Sequence, residues 1–210
     1  MTGLKGSDDG RGPDARRRQR REKMLDAAEA LFLELGFGRA TLSAVVSRSG
    51  GSLATLYDEF GNKQSLLHAV VARMRDEGLK DLNEAEGNGA SPRQVLGDLA
   101  VRFHTFAMAP RTLAFMRIVI AYSLENPEFG REFDRDMRVH ILERVAAKLD
   151  AWSDAGQARV DDSTAAAELY FASIMCNAPI KAMMGVAPEA TDRAVLDQRL
   201  EPFLQHFRIA

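Results

Sequence analysis

An all-α fold is predicted by three features of this 210-residue chain. Apolar residues recur at intervals of three and four in almost every segment, the period of a helix with one buried face. Helix-starting pairs, Ser91-Pro92 and Asn126-Pro127, stand between such segments. No stretch alternates apolar and polar residues as a half-buried strand does, and no internal repeat is present. The punctuation divides the chain into about nine helices with short connections.

The first part is short-helical. Residues 1–15 hold Gly3, Gly6, Gly10, Gly12 and Pro13 among charges and have little to bury, so a disordered tail is expected there. RRRQRREK, residues 16–23, then runs directly into a helical stripe of Leu25, Ala28, Leu31, Phe32 and Leu35. Gly36 stands where a helix end favours positive φ. Thr41 is a good N-cap for a short helix with Leu42, Val45 and Val46 on its apolar face, stopped by Gly50 and Gly51. Ser52 can cap a third helix over residues 53–59 by accepting from the N–H near Thr55. Asn62 can cap a long fourth helix that starts at Lys63, carries Leu66, Leu67, Val70, Val71 and Met74, and runs into the Glu84 region.

The remainder is longer-helical. EGNGAS, residues 86–91, is the clearest linker. Helices are expected from Pro92 to Ala109, from there through Leu124, and from Pro127 to near Gly156. Asp161 and Asp162 begin an apolar helix reaching Met184. Thr191 begins the last one, with Ala194, Leu196, Leu200, Phe203, Leu204 and Phe207. The domain boundaries read from this pattern are a tail at 1–15, a small helical domain at 16–62, a connecting helix and linker at 63–90, and a larger helical domain at 91–210.

Composition narrows the class. The formal net charge is −2, so nucleic-acid binding has to rest on a local basic patch. The single cysteine, Cys176, lies in an apolar helical pattern and reads as a small buried hydrophobe. The polar N-terminus lacks the apolar core of a signal peptide, and no apolar run has membrane-spanning length. A soluble cytoplasmic protein is expected, with no membrane partner. An all-α enzyme is disfavoured. His68, His104, His140 and His206, with acids such as Glu125 or Asp134, form no recognisable metal spacing, and there is no Gly-x-Ser-x-Gly elbow. No catalytic residue, metal or cofactor is assigned.

Two short helices joined by a glycine turn and supported by a preceding amphipathic helix make a helix-turn-helix pattern. The segments AAEALFLELGF and TLSAVVSRSGGSLATLYDEFGNKQSLL fix the order further. They place Ala28, Phe32, Gly36, Phe37, Thr41, Val45, Gly50, Ser52, Thr55, Leu56, Tyr57, Phe60, Lys63, Leu66 and Leu67 at set spacings. In that order, residues 20–71 resemble the TetR/AcrR family of bacterial transcriptional regulators. The sequence departs from that pattern at Val46, where Ala is usual, at Gly51, where Val is usual, and at Ala54, where Gly is frequent. Gly51 removes an apolar anchor from the turn and adds backbone freedom just before the third helix.

The resemblance implies a homodimer on double-stranded operator DNA, with the third helix in the major groove. Between Ser52 and Tyr57 that helix has no Arg, Lys, Asn or Gln, the usual makers of paired bonds to base edges. The expected reading is therefore apolar and positional. Ser52, Thr55, Tyr57, Lys63 and Thr41 set the helix on phosphates. Leu53, Ala54 and the Thr55 methyl press on thymine methyls, and Arg48 adds selectivity if it reaches the groove. Leu56 and Phe60 are read as core. The basic run, with Arg16, Arg17, Arg18 and Arg20, is expected to follow the DNA backbone or enter a minor groove as a basic arm.

The later segments FHTFAMAPRTLAFMRIVIAYSLENPEFGREF and AAAELYFASIMCNAPIKAMMG resemble the effector region of the same family, in its AefR-like subgroup. They are richer in aromatic residues and Met than one packing face needs. Phe103, Phe106, Met108, Met116, Ile120, Tyr170 and Ile174 are candidates for lining a site for a small, largely apolar effector, with His104 and Asn177 as polar groups to orient it. The same residues also suit a solid core. The helices over 162–184 and 192–207, apolar on more than one side, are the expected dimer interface. The combined expectation is a repressor released by its ligand, with a constitutive regulator lacking a ligand as the alternative.

Overall fold

The computed structural model describes residues 12–83, 90–187 and 190–209. Ten helices and no strand are present among them. Residues 1–11 of the expected tail, and 84–89 at the end of the fourth helix and in the linker, lie outside the described residues. The chain divides into two compact units between Val70 and Val71.

The first unit contains α1 (Pro13–Arg39), α2 (Leu42–Ser49), α3 (Leu53–Phe60) and the start of α4 (Lys63–Asn83). The helix of α1 breaks at Gly36, whose φ of 76° is a conformation that a β-carbon makes costly. Met24, Leu25, Ala28, Leu31 and Phe32 lie on one stripe of α1 and are buried, as are Val45 of α2, Leu56 and Phe60 of α3, and Leu66, Leu67 and Val70 of α4. Each large side chain buried in this way is worth about 1.5–3 kcal/mol. Three side-chain caps fix the helix starts. Thr41 Oγ1 accepts from the Ala44 N–H at 3.1 Å, Ser52 Oγ from the Thr55 N–H at 3.1 Å, and Asn62 Oδ1 from the Ser65 N–H at 2.8 Å.

The second unit takes the rest of α4 with α5 (Pro92–Met108), α6 (Pro110–Glu125), α7 (Pro127–Asp154), α8 (Ser163–Met175), α9 (Ala178–Met183) and α10 (Arg193–His206). Its core joins Leu96 and Leu99 of α5, Leu142 and Leu149 of α7, Tyr170 and Ile174 of α8, and Leu200 and Phe203 of α10. A capping box of Ser91 and Gln94 starts α5, and Asp162 caps α8 by accepting from the Ala165 N–H at 2.9 Å. Ion pairs between α5 and α10 line the edge of this core: Arg93 with Glu201 at 2.8 Å and Arg193 with Asp98 at 2.6 Å.

Four local expectations are corrected. The single helix expected to reach Met184 is two helices, because Pro179 lacks the N–H that a continuous helix would donate to the Met175 carbonyl. The break falls at Cys176, which has φ 47° and is exposed, so it is not a buried hydrophobe. Asn126 does not cap α7 with its side chain; its Nδ2 donates backward to the Tyr122 carbonyl at 3.3 Å. The cap of the last helix is Asp192, accepting from the Val195 N–H at 3.0 Å, and not Thr191.

Candidate nucleic-acid interface

The geometry of α3 separates two faces. Leu56 and Phe60 point into the first unit and are buried. Leu53, Ala54 and Tyr57, one turn apart on the other side, face outward, with Leu53 39% and Tyr57 53% exposed. These side chains give a partner apolar contact at the start of the helix. The Ser52 hydroxyl lies 2.9 Å from the Thr55 hydroxyl, so the cap and the first-turn threonine form one polar pair beside that surface. The free N–H groups of the first turn give this end a partial positive charge, suited to a phosphate. Asp58 is also exposed on α3, and its charge opposes phosphate.

Residues 16–23 are helical, the first turns of α1, and not a separate extended arm. Arg17 Nε donates to Glu59 of α3 at 3.1 Å, and Arg21 Nε lies 3.5 Å from the same carboxylate. The Arg21 guanidinium also lies over the Phe60 ring, 5.3 Å from its centroid. A shallow cleft follows between α1 and α3, lined by Arg17, Arg20, Arg21, Met24, Thr55, Asp58 and Glu59. Arg16, Arg18 and Arg20 are exposed on these same turns. Arg21 and Glu59 were not singled out in the sequence. An acid three residues before the Asn62 cap gives no signal until its distant partner is known.

Two expected contact residues are engaged inside the unit. Arg48 makes a two-pronged pair with Glu34 of α1, at 2.7 and 2.8 Å, which turns its guanidinium back toward α1. That hydrogen bond holds the Glu34 carboxyl below the usual carboxylate range. Lys63 Nζ donates to the Gly38 carbonyl at 3.2 Å and lies 4.3 Å from the Phe37 ring centroid. Partial burial lowers the Lys63 pKa. Lys63 thus ties the start of α4 to the turn after Gly36. Thr41 is exposed at its cap position.

The turn before α3 tolerates Gly51 for a visible reason. Its φ is 143°, and a β-carbon there would lie 3.3 Å from the Met24 terminal methyl. Met24, itself buried, occupies the side of the turn that an apolar residue would otherwise fill.

In the second unit the expected ligand residues are dispersed. Tyr170, Ile174 and His104 are buried, whereas Phe103, Phe106, Met108 and Met116 are half-buried. Ile120 is exposed on α6, and Asn177 is exposed in the break before α9. The cleft that does form lies among α5, α7 and α8, lined by Leu99, Phe103, Ile141, Arg144, Val145, Lys148, Tyr170 and Phe171. It shares only Phe103 and Tyr170 with the expected set. The α7 contribution at 141, 144, 145 and 148 follows helical spacing, the signal by which those residues share a face in the sequence. The Tyr170 hydroxyl donates to the Leu96 carbonyl at 2.7 Å, and burial pushes its pKa up, so it remains a donor. The His104 Nε2 is buried without a hydrogen-bond partner, and burial first, then the nearby Arg199 charge, lower its pKa.

A capped outward-facing helix after a glycine turn, braced by a basic first helix, defines the helix-turn-helix class of DNA-binding regulators. Residues 24–70 match the family model of bacterial regulatory proteins, tetR family, and residues 94–208 match that of the AefR-like transcriptional repressor, C-terminal domain. The chain belongs to the TetR family of transcriptional regulators. It is 25% identical over 146 residues to the HTH-type transcriptional regulator UidR of Escherichia coli strain K12, covering 69% of this chain and 72% of that one. A putative TetR-family regulator from Mesorhizobium loti superposes with a TM-score of 0.77 at 22% identity, covering 91% of this chain and 98% of that one. The SmeT–triclosan complex, from the Stenotrophomonas maltophilia efflux-pump repressor, superposes with a TM-score of 0.62 at 26% identity, covering 87% and 90%. No described helix is long and apolar enough to cross a membrane.

Proposed function

We propose that this regulator is a repressor that binds operator DNA as a homodimer through α3 and leaves it when a small ligand enters the second unit. The observation that carries the DNA reading is the outward face of α3: Leu53, Ala54 and Tyr57 open to solvent beside the Ser52 cap. Ser52, Thr55, Tyr57 and Thr41 serve as phosphate-positioning groups, joined by Arg16, Arg17, Arg18 and Arg20 from the first turns of α1. Leu53 and Ala54 meet the bases. Arg48 and Lys63 act first inside the unit, by holding α1 to α2 and α4 to the Gly38 turn.

Dimerisation through α8 is supported by its composition, since Leu169 stays 47% exposed while Tyr170 and Ile174 are buried on its other side. The outward positions of α10 are more polar than the sequence suggested, because Leu196, Leu200, Phe203 and Leu204 all turn inward and leave Asp197, Gln198 and Gln205 outside. In this reading α8 supplies the apolar part of the interface and α10 its rim. A Leu169→Glu variant is expected to sediment as a monomer.

Ligand release is supported by the α5–α7–α8 cleft and by the relative whose solved complex holds triclosan. A ligand that binds the DNA-incompatible conformation more tightly shifts the population away from DNA. The cleft is narrow, which favours one alternative, a constitutive regulator with a solid core. Thermal shift against hydrophobic compounds separates the two, because a bound ligand raises the melting temperature with concentration. The DNA function is tested by titrating pure protein against the DNA upstream of its own gene. A saturable shift resistant to unrelated DNA supports it; its absence overturns it.

A further inference from the structure

We propose that Asp58 reads cytosine: its carboxylate accepts a hydrogen bond from a cytosine N4 amino group in the major groove, at one position of each operator half-site. This rests on the reading of α3 as the helix that enters the groove, and it adds a specificity-determining residue to that helix. Leu56 and Phe60 fix the inward direction of α3, since both are buried. Asp58 stands midway between them, two residues from each, and about 100° of rotation per residue carries it to the opposite side of the helix. It is exposed there, one turn after the exposed Ala54, so the side chain that points most directly away from the core is an acid.

The neighbouring acid has a different task. Glu59 holds Arg17 at 3.1 Å and Arg21 at 3.5 Å. Asp58 lines the same cleft as these arginines, yet it makes no hydrogen bond or ion pair among the described residues. Its charge is left for a partner outside the chain. Phosphates repel that charge, so the carboxylate weakens DNA binding unless a base donates to it. The groove edges decide which base does. Guanine presents two acceptors, N7 and O6, and thymine presents O4 and a methyl group. Adenine offers an amino donor, but it lies between two acceptors, its own N7 and the O4 of the paired thymine. The cytosine amino group has an acceptor on one side only, the O6 of the paired guanine, and a C–H on the other. A carboxylate therefore meets least repulsion at cytosine.

The test is selection of preferred sequences from random DNA by the full-length parent, Asp58→Ala, Asp58→Asn and Leu53→Gln, followed by affinity measurements on the selected and on unrelated DNA. The parent is expected to favour cytosine at one position of each half-site by about 5-fold or more, the scale of one good base contact. Asp58→Ala should lose that preference and bind unrelated DNA about 2-fold or more tightly, because a negative charge has left the face. Asp58→Asn should move the preference to adenine, whose N6 and N7 suit an amide. The two variants change one exposed side chain in different ways, so one that fails to fold leaves the other to decide. If Asp58→Ala tightens binding to all sequences equally and keeps every base preference, while Leu53→Gln alters one, Asp58 only repels DNA and the proposal is overturned with α3 still the reading helix. If neither Asp58→Ala nor Leu53→Gln alters any preference, the reading of α3 is overturned as well.

Discussion

Glu59 of α3 accepts a hydrogen bond from Arg17 of α1 at 3.1 Å, which joins the basic turns of the first helix to the helix that faces outward. Removing an acid from a DNA-binding surface ordinarily strengthens binding by lowering repulsion. Here the carboxylate also orders Arg17 and Arg21, and cations held in place lose less entropy on meeting phosphate. Glu59→Gln is therefore expected to weaken operator binding, by roughly 5-fold, in spite of the more positive net charge. Fluorescence anisotropy with labelled operator measures it; tighter binding by the variant would show that Glu59 only competes with DNA for the arginines.

The turn before α3 depends on a residue without a side chain. Any β-carbon at Gly51 meets both the strain of φ 143° and the Met24 methyl at 3.3 Å. Gly51→Val, which restores the residue usual in the family, is expected to destabilise the protein by about 1–3 kcal/mol. Gly51→Val combined with Met24→Ala should lose less in urea unfolding than the sum of the two single losses, because the two side chains claim one space. Equal stability of Gly51→Val and the parent would contradict this packing.

Lys63 has an internal task, so its loss has two signatures. Lys63→Ala removes the bond to the Gly38 carbonyl and the contact with the Phe37 ring, together worth about 1 kcal/mol. A lower melting temperature and a weakening shared by all DNA sequences are expected together. A change in DNA affinity without any change in melting temperature would return Lys63 to a purely phosphate-binding role.

His104 gives stability a pH dependence of known sign. Its folded pKa is depressed by burial and by Arg199, so the unfolded chain binds the proton more readily. Its contribution is full above the unfolded pKa of about 6.5 and is lost as pH falls from there through the folded value. The melting temperature should drop more steeply between about pH 7 and pH 5.5 for the parent than for His104→Leu. Parallel curves would show that the folded ring takes up its proton as readily as the unfolded one.

Salt dependence should be steep. With several arginines of each protomer on phosphates, raising salt from about 50 mM to about 200 mM is expected to cost on the order of 10³-fold in affinity. A shallow slope in the same titration would exclude the α1 turns from the DNA contact.

Local chemistry made most of the fold legible. Thr41, Ser52, Asn62, Ser91 and Asp162 carry short-range hydrogen bonds to N–H groups three residues on, and such bonds depend only on sequence neighbours. Gly36 was legible for the same reason. The break at Cys176 was hidden because apolar periodicity continues across it, and Pro179 acts on the carbonyl one turn earlier. Pairings across long separations were not legible: Glu34 with Arg48, Glu59 with Arg17, and the meeting of Leu99, Arg144 and Phe171 in one cleft. Helical spacing says which residues share a face, but not which face of another helix receives them.

In the proposed function the outward face of α3 reads DNA through apolar contact. Its most direct test is selection of preferred sequences from random DNA by the parent, Leu53→Gln and Tyr57→Phe. Leu53→Gln is expected to change the preferred bases and Tyr57→Phe to keep them at lower affinity. An unchanged preference in Leu53→Gln would contradict it and leave α3 as a positioning helix only.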